Sequence, residues 1–131
     1  MPHITTARGV LIHYEDDYFG EPWLRDSAEV VILLNGIAES GRAFYSWITP
    51  LADTYRLIRP DLPGFGQSRV PADLDYDWGP VGLAADVRRL VEALGIRRFH
   101  LAGAKYGGSV AIEYAAGNPQ RGIRSTSNPS R

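Results

Sequence analysis

Apolar residues occur in short runs that predict buried strands. Residues 30–34 are continuously apolar and begin with two β-branched valines, which predicts a strand buried on both faces in the middle of a parallel sheet. Residues 55–59 and 99–102 predict two further strands of the same sheet. Near the start of the chain, apolar and polar residues alternate on either side of a glycine turn. This pattern predicts a hairpin over residues 4–14, followed by a polar loop over residues 16–26.

Apolar residues at helical spacing predict helices between these strands. The i, i+3, i+4, i+7 pattern occurs at residues 44–51 and 87–94, and a third helix is predicted over residues 107–116. Gly95 follows the second of these segments, where the cap of a helix C-terminus is expected. Strands that alternate with helices of this length indicate βαβ units and an α/β fold.

Composition and charge exclude several classes of protein. The chain has 14 Lys and Arg against 15 Asp and Glu, a net charge of −1, so it lacks the basic excess of a nucleic-acid-binding protein. It has no cysteine, and therefore neither a disulfide nor a thiolate metal site. Its apolar runs are far shorter than the roughly 20 residues of a membrane span, and residues 1–6 do not resemble a secretory signal. We therefore expect a cytoplasmic protein without membrane or nucleic-acid partners.

Residues 120–131 differ in composition from the rest of the chain. They are rich in Arg, Ser, Thr, Asn and Pro, with Ile123 as the only large apolar residue, and this composition predicts a disordered tail. Residues 1–119 are then expected to form one partial domain.

The segment Gly103-Ala104-Lys105-Tyr106-Gly107 lies directly after a predicted strand and directly before a predicted helix. This is the setting of a nucleophile elbow, G-x-nucleophile-x-G, in which the glycines permit a tight turn that lifts the central side chain above the sheet. Lys105 occupies the central position of this motif.

The remaining motifs predict neither a cofactor site nor a metal site. Gly64-Phe65-Gly66 begins like a dinucleotide-binding motif, but Arg69 stands where the third glycine belongs. Lys105 is followed by tyrosine rather than by serine or threonine, which excludes a P-loop. Asp75 and Asp77 lack the additional ligands that a metal site requires.

The order of three motifs resembles the α/β-hydrolase superfamily, of the fold 1 type, over about residues 4–119. Asn35-Gly36-Ile37 lies where these enzymes place their oxyanion loop, residues 61–68 resemble their D-x-x-G-x-G-x-S segment, and the third motif is the elbow. The resemblance implies the N-terminal portion of an α/β-hydrolase sheet. In this portion an N-terminal hairpin is followed by βαβ units, and the fold is truncated after the helix that follows the elbow.

The same resemblance assigns roles to individual residues. It implies that the backbone N–H groups of Ile37 and Tyr106 form an oxyanion hole, with Lys105 at the nucleophile position. The residues that would shape the pocket or its turns are Asn35, Gly36, Asp61, Gly103 and Gly107. For Asp61 the alternative is that its side chain stabilises its own loop through hydrogen bonds to the backbone.

Two departures from the family pattern bear on activity. The family carries Ser, Asp or Cys at the elbow, whereas this chain carries Lys105. After Lys105 the chain has one acidic residue, Glu113, and no histidine, so the family's order of nucleophile, acid and histidine cannot be assembled from this chain. We therefore expect a hydrolase-like protein for a small carbonyl substrate (an ester, a lactone or a cleavable C–C bond) that is inactive as this truncated chain.

Three interpretations of Lys105 remain open. As a solvated surface charge, it has no chemical role. As a protonated amine, it binds a carboxylate beside the backbone donors of Tyr106 and Ile37, and the protein is a non-catalytic module for a carboxylate ligand or a partner chain. As a neutral amine, favoured by the helix N-terminus and by an apolar pocket, it forms a Schiff base with a carbonyl compound.

The predicted strand at residues 99–102 would have a neighbouring strand on one side only. In the family, later sequence supplies the neighbour on the other side. In this chain the unpaired N–H and C=O groups of residues 99–102 would therefore form an exposed sheet edge. We expect that the chain associates with itself through that edge or pairs with a complementary fragment. The alternative is that the chain is a shortened product of a longer reading frame.

Overall fold

A computed structural model describes residues 2–34 and 51–117 and, for the backbone, residues 124–128. These residues contain six strands, two α-helices and one 3₁₀ helix. In chain order the strands are β1 (His3–Thr5), β2 (Leu11–Asp17), β3 (Val30–Leu34), β4 (Arg56–Pro60), β5 (Phe99–Ala104) and β6 (Arg124–Asn128). The α-helices are α1 (Pro80–Ala93) and α2 (Tyr106–Gly117), and the 3₁₀ helix is Pro22–Ser27.

The six strands form one mixed sheet in the order β1-β2-β4-β3-β5-β6. β3 pairs in parallel with β4 on one side and with β5 on the other, so that Val30 lies opposite both Arg56 and Phe99. β2 runs antiparallel to β4, and β1 runs antiparallel to β2. Ile32 and Leu34 are fully buried, which confirms the central parallel strand that the apolar run predicts.

The two α-helices overlap the helices predicted at residues 87–94 and 107–116, but α1 begins earlier than predicted, at Pro80. α1 buries Leu83, Val87 and Leu90 in the core and ends before Gly95, whose φ of +70° is a left-handed conformation that favours glycine. α2 packs against α1 and β5. The described helices include none that is long and apolar enough to cross a membrane. The helix predicted at residues 44–51 lies, apart from Leu51, outside the described residues.

The segment predicted as a polar loop over residues 16–26 is more regular than expected. Asp16 and Asp17 belong to β2, because each carboxylate pairs with an arginine on β4. Arg56 Nη2 lies 2.7 Å from Asp16 Oδ2, and Arg59 Nη2 lies 2.6 Å from Asp17 Oδ2. The 3₁₀ helix follows, and Arg25 within it also binds Asp16, at 2.7 Å. Ion pairs between strands therefore extend the sheet into a polar sequence.

The disordered tail predicted for residues 120–131 lies outside the described residues, except for residues 124–128, where the structure has a strand instead. Within that segment Arg124–Asn128 forms β6, which pairs in parallel with β5 from His100 opposite Arg124 to Ala104 opposite Asn128. Backbone pairing satisfies N–H and C=O groups whatever the side chains are, so a polar composition does not prevent it. The side of β5 expected to be open is thus paired, so the exposed edge predicted at residues 99–102 is wrong. Self-association of the chain stays a prediction.

Candidate active site

The elbow is a single residue between a strand and a helix. β5 ends at Ala104, α2 begins at Tyr106, and Lys105 between them has φ of +56° with an exposed side chain. The Gly108 N–H donates a 2.9 Å hydrogen bond to the Lys105 carbonyl oxygen, which closes the turn. A non-glycine residue with this φ is uncommon and strained, and such strain is concentrated at functional sites. The structure therefore has the strand–turn–helix geometry that the sequence predicts here.

The absence of a Cβ atom at Gly103 allows β5 and α2 to approach each other closely. A Cβ atom on Gly103 would lie 2.6 Å from the backbone nitrogen of Gly108 and still closer to the carbonyl group of Gly107. Both Gly103 and Gly107 are buried. No larger residue fits at position 103 unless the helix moves, so Gly103 helps to determine the position of Lys105.

Asp61 stabilises the loop that follows β4. Its side chain is 4% exposed, and Oδ2 accepts a 2.8 Å hydrogen bond from the Gln67 N–H. The Ser68 hydroxyl donates to the Asp61 carbonyl oxygen at 2.6 Å and accepts from the His13 N–H at 2.9 Å. These contacts correspond to the alternative in which Asp61 stabilises its own turn through hydrogen bonds.

Of the two residues predicted to donate to an oxyanion hole, the structure describes Tyr106. Tyr106 is the first residue of α2, so its N–H lies in the first turn and has no acceptor within the helix. The other predicted donor, Ile37, lies outside the described residues, together with Asn35 and Gly36. The Tyr106 side chain is half-buried, and its hydroxyl donates a 3.0 Å hydrogen bond to the Trp78 carbonyl oxygen.

Trp78 is a candidate site residue that sequence reasoning did not select. It is 50% exposed, and its indole packs against Gly64 so tightly that a Cβ atom there would overlap the ring. The Trp78 and Tyr76 rings make a T-shaped contact, with centroids 4.7 Å apart and an angle of 65° between the ring planes. The sequence offers one weak signal for this arrangement, a glycine-rich loop after a strand, and nothing that pairs Gly64 with Trp78.

The histidines and the late acidic residue lie away from the elbow. His100 is the second residue of β5, about 13 Å along the strand from Ala104, and its Nε2 lies 3.5 Å from Glu29 Oε2. His13 Nε2 lies 3.2 Å from Glu15 Oε1 on β2, which β4 and β3 separate from β5. Glu113 is eight residues along α2 from Lys105, about 12 Å. The described residues therefore do not bring a base or an acid together with Lys105 in the geometry of a triad.

Two cavities lie at the end of the sheet opposite to the elbow. One, of about 580 Å³, lies beside the 3₁₀ helix and is lined by Phe19 and Leu24; the other, of about 530 Å³, is lined by Glu29 and His100. Both are at the amino ends of the parallel strands, whereas α/β proteins bind ligands at the carboxyl ends. Neither cavity is assigned to the candidate site. Over residues 2–34 and 51–117, no group of three His, Asp or Glu side chains is placed to hold a metal ion.

Comparison with known proteins identifies the family. A model of the alpha/beta hydrolase fold family matches residues 29–123, and the chain belongs to this family. It is similar to the 2-hydroxy-6-oxo-6-phenylhexa-2,4-dienoate hydrolase of Comamonas testosteroni, with 37% identity over 115 residues that make up 85% of this chain and 37% of the relative. It is also similar to the magnesium-chelatase 30 kDa subunit of Rhodobacter capsulatus, with 36% identity over 90 residues, 69% of this chain and 31% of the relative.

A solved structure shows the same fold. An alpha/beta hydrolase from Novosphingobium aromaticivorans superposes with a TM-score of 0.82 at 28% identity, over 99% of this chain and 44% of that chain. The chain spans about a third of the length of the two curated relatives. The fold described above is therefore that of an α/β-hydrolase over the part of the sheet that this sequence contains.

Proposed function

We propose that this chain binds a small carboxylate or carbonyl compound at its elbow through Lys105, and that its own residues do not hydrolyse that compound. The observation that carries the proposal is the position of Lys105, exposed on a strained turn between β5 and α2 where the family places its nucleophile. A turn of this kind presents one side chain to a ligand at the carboxyl end of the sheet.

The chemistry of the elbow favours an anionic or polarised oxygen. A protonated lysine and the free N–H groups of a helix N-terminus both attract carboxylate oxygens. The relative from Comamonas testosteroni is named for a compound that carries both an oxo group and a carboxylate, which supports the same ligand class. Hydrolysis by a triad is not part of the proposal, because Lys105 replaces the usual nucleophile and His100 lies at the far end of β5.

Amine catalysis by Lys105 is less well supported. A lysine that forms a Schiff base is usually activated by desolvation in an apolar pocket or by a neighbouring cation. The Lys105 side chain is instead exposed. We therefore treat Schiff-base chemistry as an outcome to be tested.

Lys105 is the only lysine in the sequence, so it can be observed directly. In protein labelled with ¹³C-lysine, the single Cε–Hε signal should shift and saturate as acetate is added at constant ionic strength. Calorimetry should show that Lys105→Ala abolishes acetate binding while Arg97→Ala, the matched removal of an exposed cation, does not. A response that never saturates, or equal affinity in Lys105→Ala, would contradict the proposal.

Two reactions test the chemistry. We expect no hydrolysis of p-nitrophenyl acetate above the buffer rate, and no adduct on Lys105 after treatment with pyruvate and borohydride. Release of p-nitrophenol that persists over many turnovers and disappears in Lys105→Ala would show that these residues hydrolyse the ester. A trapped pyruvate adduct would show that Lys105 forms a Schiff base, and the proposal of simple ligand binding would then give way to amine catalysis.

A further inference from the structure

Trp78 is exposed to solvent and yet held in a fixed position. Half of its surface is accessible, while its ring packs on Gly64 and makes a T-shaped contact with the Tyr76 ring. Tyr76 is itself fixed, because its hydroxyl donates to Asp86 on α1 and its side chain is 8% exposed. An aromatic ring that is already ordered loses little conformational entropy when a ligand stacks on it.

Trp78 is also connected to the elbow. The Tyr106 hydroxyl donates to the Trp78 carbonyl oxygen at 3.0 Å, and Tyr106 follows Lys105 directly in the chain. One tyrosine side chain and one hydrogen bond therefore separate the backbone of Trp78 from the elbow. Gly64, under the indole, belongs to the loop after β4, which leaves the sheet at the same carboxyl edge as β5.

We infer that Trp78 determines specificity at this site by binding a flat apolar group, so that the preferred ligand is an aryl carboxylate. The inference rests on the proposed function, in which Lys105 binds the carboxylate. Indole faces and edges stack favourably on other aromatic rings, and ligand sites typically combine one charged group with an aromatic surface. The fixed Trp78 and the exposed Lys105 provide these two elements.

Phenylacetate and acetate test this inference, because they share a carboxylate and differ by a phenyl ring. By calorimetry at constant ionic strength, the full chain should bind phenylacetate about three- to tenfold more tightly than acetate. Trp78→Ala should reduce that ratio to near one, and Trp78→Phe should keep part of it. Trp23→Ala is the matched control, because Trp23 is 76% exposed in the 3₁₀ helix just before β3, at the opposite edge of the sheet. It should keep the full ratio.

The results separate the two proposals. Equal affinity for phenylacetate and acetate in the unmodified chain overturns the role of Trp78, and so does a preference that survives in Trp78→Ala. If Trp78→Ala does not fold, as judged by circular dichroism, Tyr106→Phe takes its place. It keeps the ring but removes the hydrogen bond to Trp78, and it should lower the ratio at least twofold; an unchanged ratio overturns the inference. Failure of the proposed function would be seen in the acetate experiment alone, if Lys105→Ala bound acetate as tightly as the unmodified chain.

Discussion

The hydroxyl of Tyr76 donates a hydrogen bond to the fully buried carboxylate of Asp86 and so fastens the loop before α1 to the helix itself. Arg89 Nη1 donates to the other carboxylate oxygen at 2.7 Å, so both oxygens of Asp86 are bound. This loop carries Trp78, which accepts the hydrogen bond from Tyr106 beside the elbow. Asp86 therefore supports the candidate site from the interior of the protein, on the buried face of an amphipathic helix.

Replacing Asp86 should destabilise the fold strongly. Asp86→Ala leaves the buried Tyr76 hydroxyl without its acceptor, and we expect the free energy of unfolding in urea to fall by about 2–4 kcal/mol. Asp73→Ala, in the exposed part of the same loop, is the control and should change the free energy by less than about 0.5 kcal/mol. Similar losses in the two variants would show that the buried carboxylate is not what holds the loop.

The same hydrogen bond should make stability depend on alkaline pH. Burial, and then the hydrogen bond to Asp86, raises the pKa of Tyr76 well above its ordinary value of 10.0. The native state therefore keeps a proton that the unfolded state releases above pH 10. The contribution of Tyr76 to stability is complete below that pH and declines above it, by at most about 1.4 kcal/mol per pH unit.

Urea unfolding measured from pH 8 to pH 11 checks this dependence. Tyr76→Phe should be less stable than the unmodified chain at pH 8, because Asp86 loses a donor, but its stability should fall less steeply above pH 10. Tyr55→Phe is the control for removing a tyrosine hydroxyl and should keep the steep fall. An identical alkaline slope in Tyr76→Phe and the unmodified chain would assign the pH dependence to other groups.

Elements with a clear local pattern of apolar residues could be predicted from the sequence. The continuous apolar run at Val30–Leu34 required burial on both faces, and the structure places it between two parallel strands. Asp16 and Asp17 could not be placed, because they join a strand through ion pairs with arginines some 40 residues away. Strand β6 was missed for a related reason, since its sequence is polar and its pairing depends on the edge that β5 offers.

The candidate site divides in the same way. The elbow could be predicted because Gly103 and Gly107 are four residues apart, and close helix–strand packing at that spacing is a local property of the chain. The hydrogen bond from Tyr106 to Trp78 joins residues 28 positions apart. Nothing in the local sequence of either residue indicates that contact, because the path of the loop between residues 61 and 79 decides it.

Lys105 should be replaceable by glycine with a gain in stability. A left-handed φ costs a residue with a Cβ atom about 1–2 kcal/mol, and glycine avoids that strain at the expense of greater freedom in the unfolded state. We therefore expect Lys105→Gly to raise the free energy of unfolding by about 0.5–1 kcal/mol, as measured in urea, and to lose acetate binding. Ser109→Gly, at an exposed position of α2, should instead lower it by about 0.5 kcal/mol. A loss of stability in Lys105→Gly would mean that the turn carries no strain.

Gly103→Ala should damage the elbow more than any conformational effect of losing a glycine can explain. Its Cβ atom would overlap the backbone of Gly107 and Gly108, which cannot rotate away as a side chain could, so α2 must shift. We expect a loss of about 3 kcal/mol in the free energy of unfolding and a displaced ¹³Cε signal for Lys105.

Gly95→Ala separates steric overlap from backbone strain. No atom lies within 4 Å of its Cβ position, but φ is +70°, so this variant should lose only about 1 kcal/mol and leave the Lys105 signal in place. Equal losses in the two variants would mean that Gly103 is needed for backbone conformation and that the packing of β5 against α2 does not set the position of Lys105.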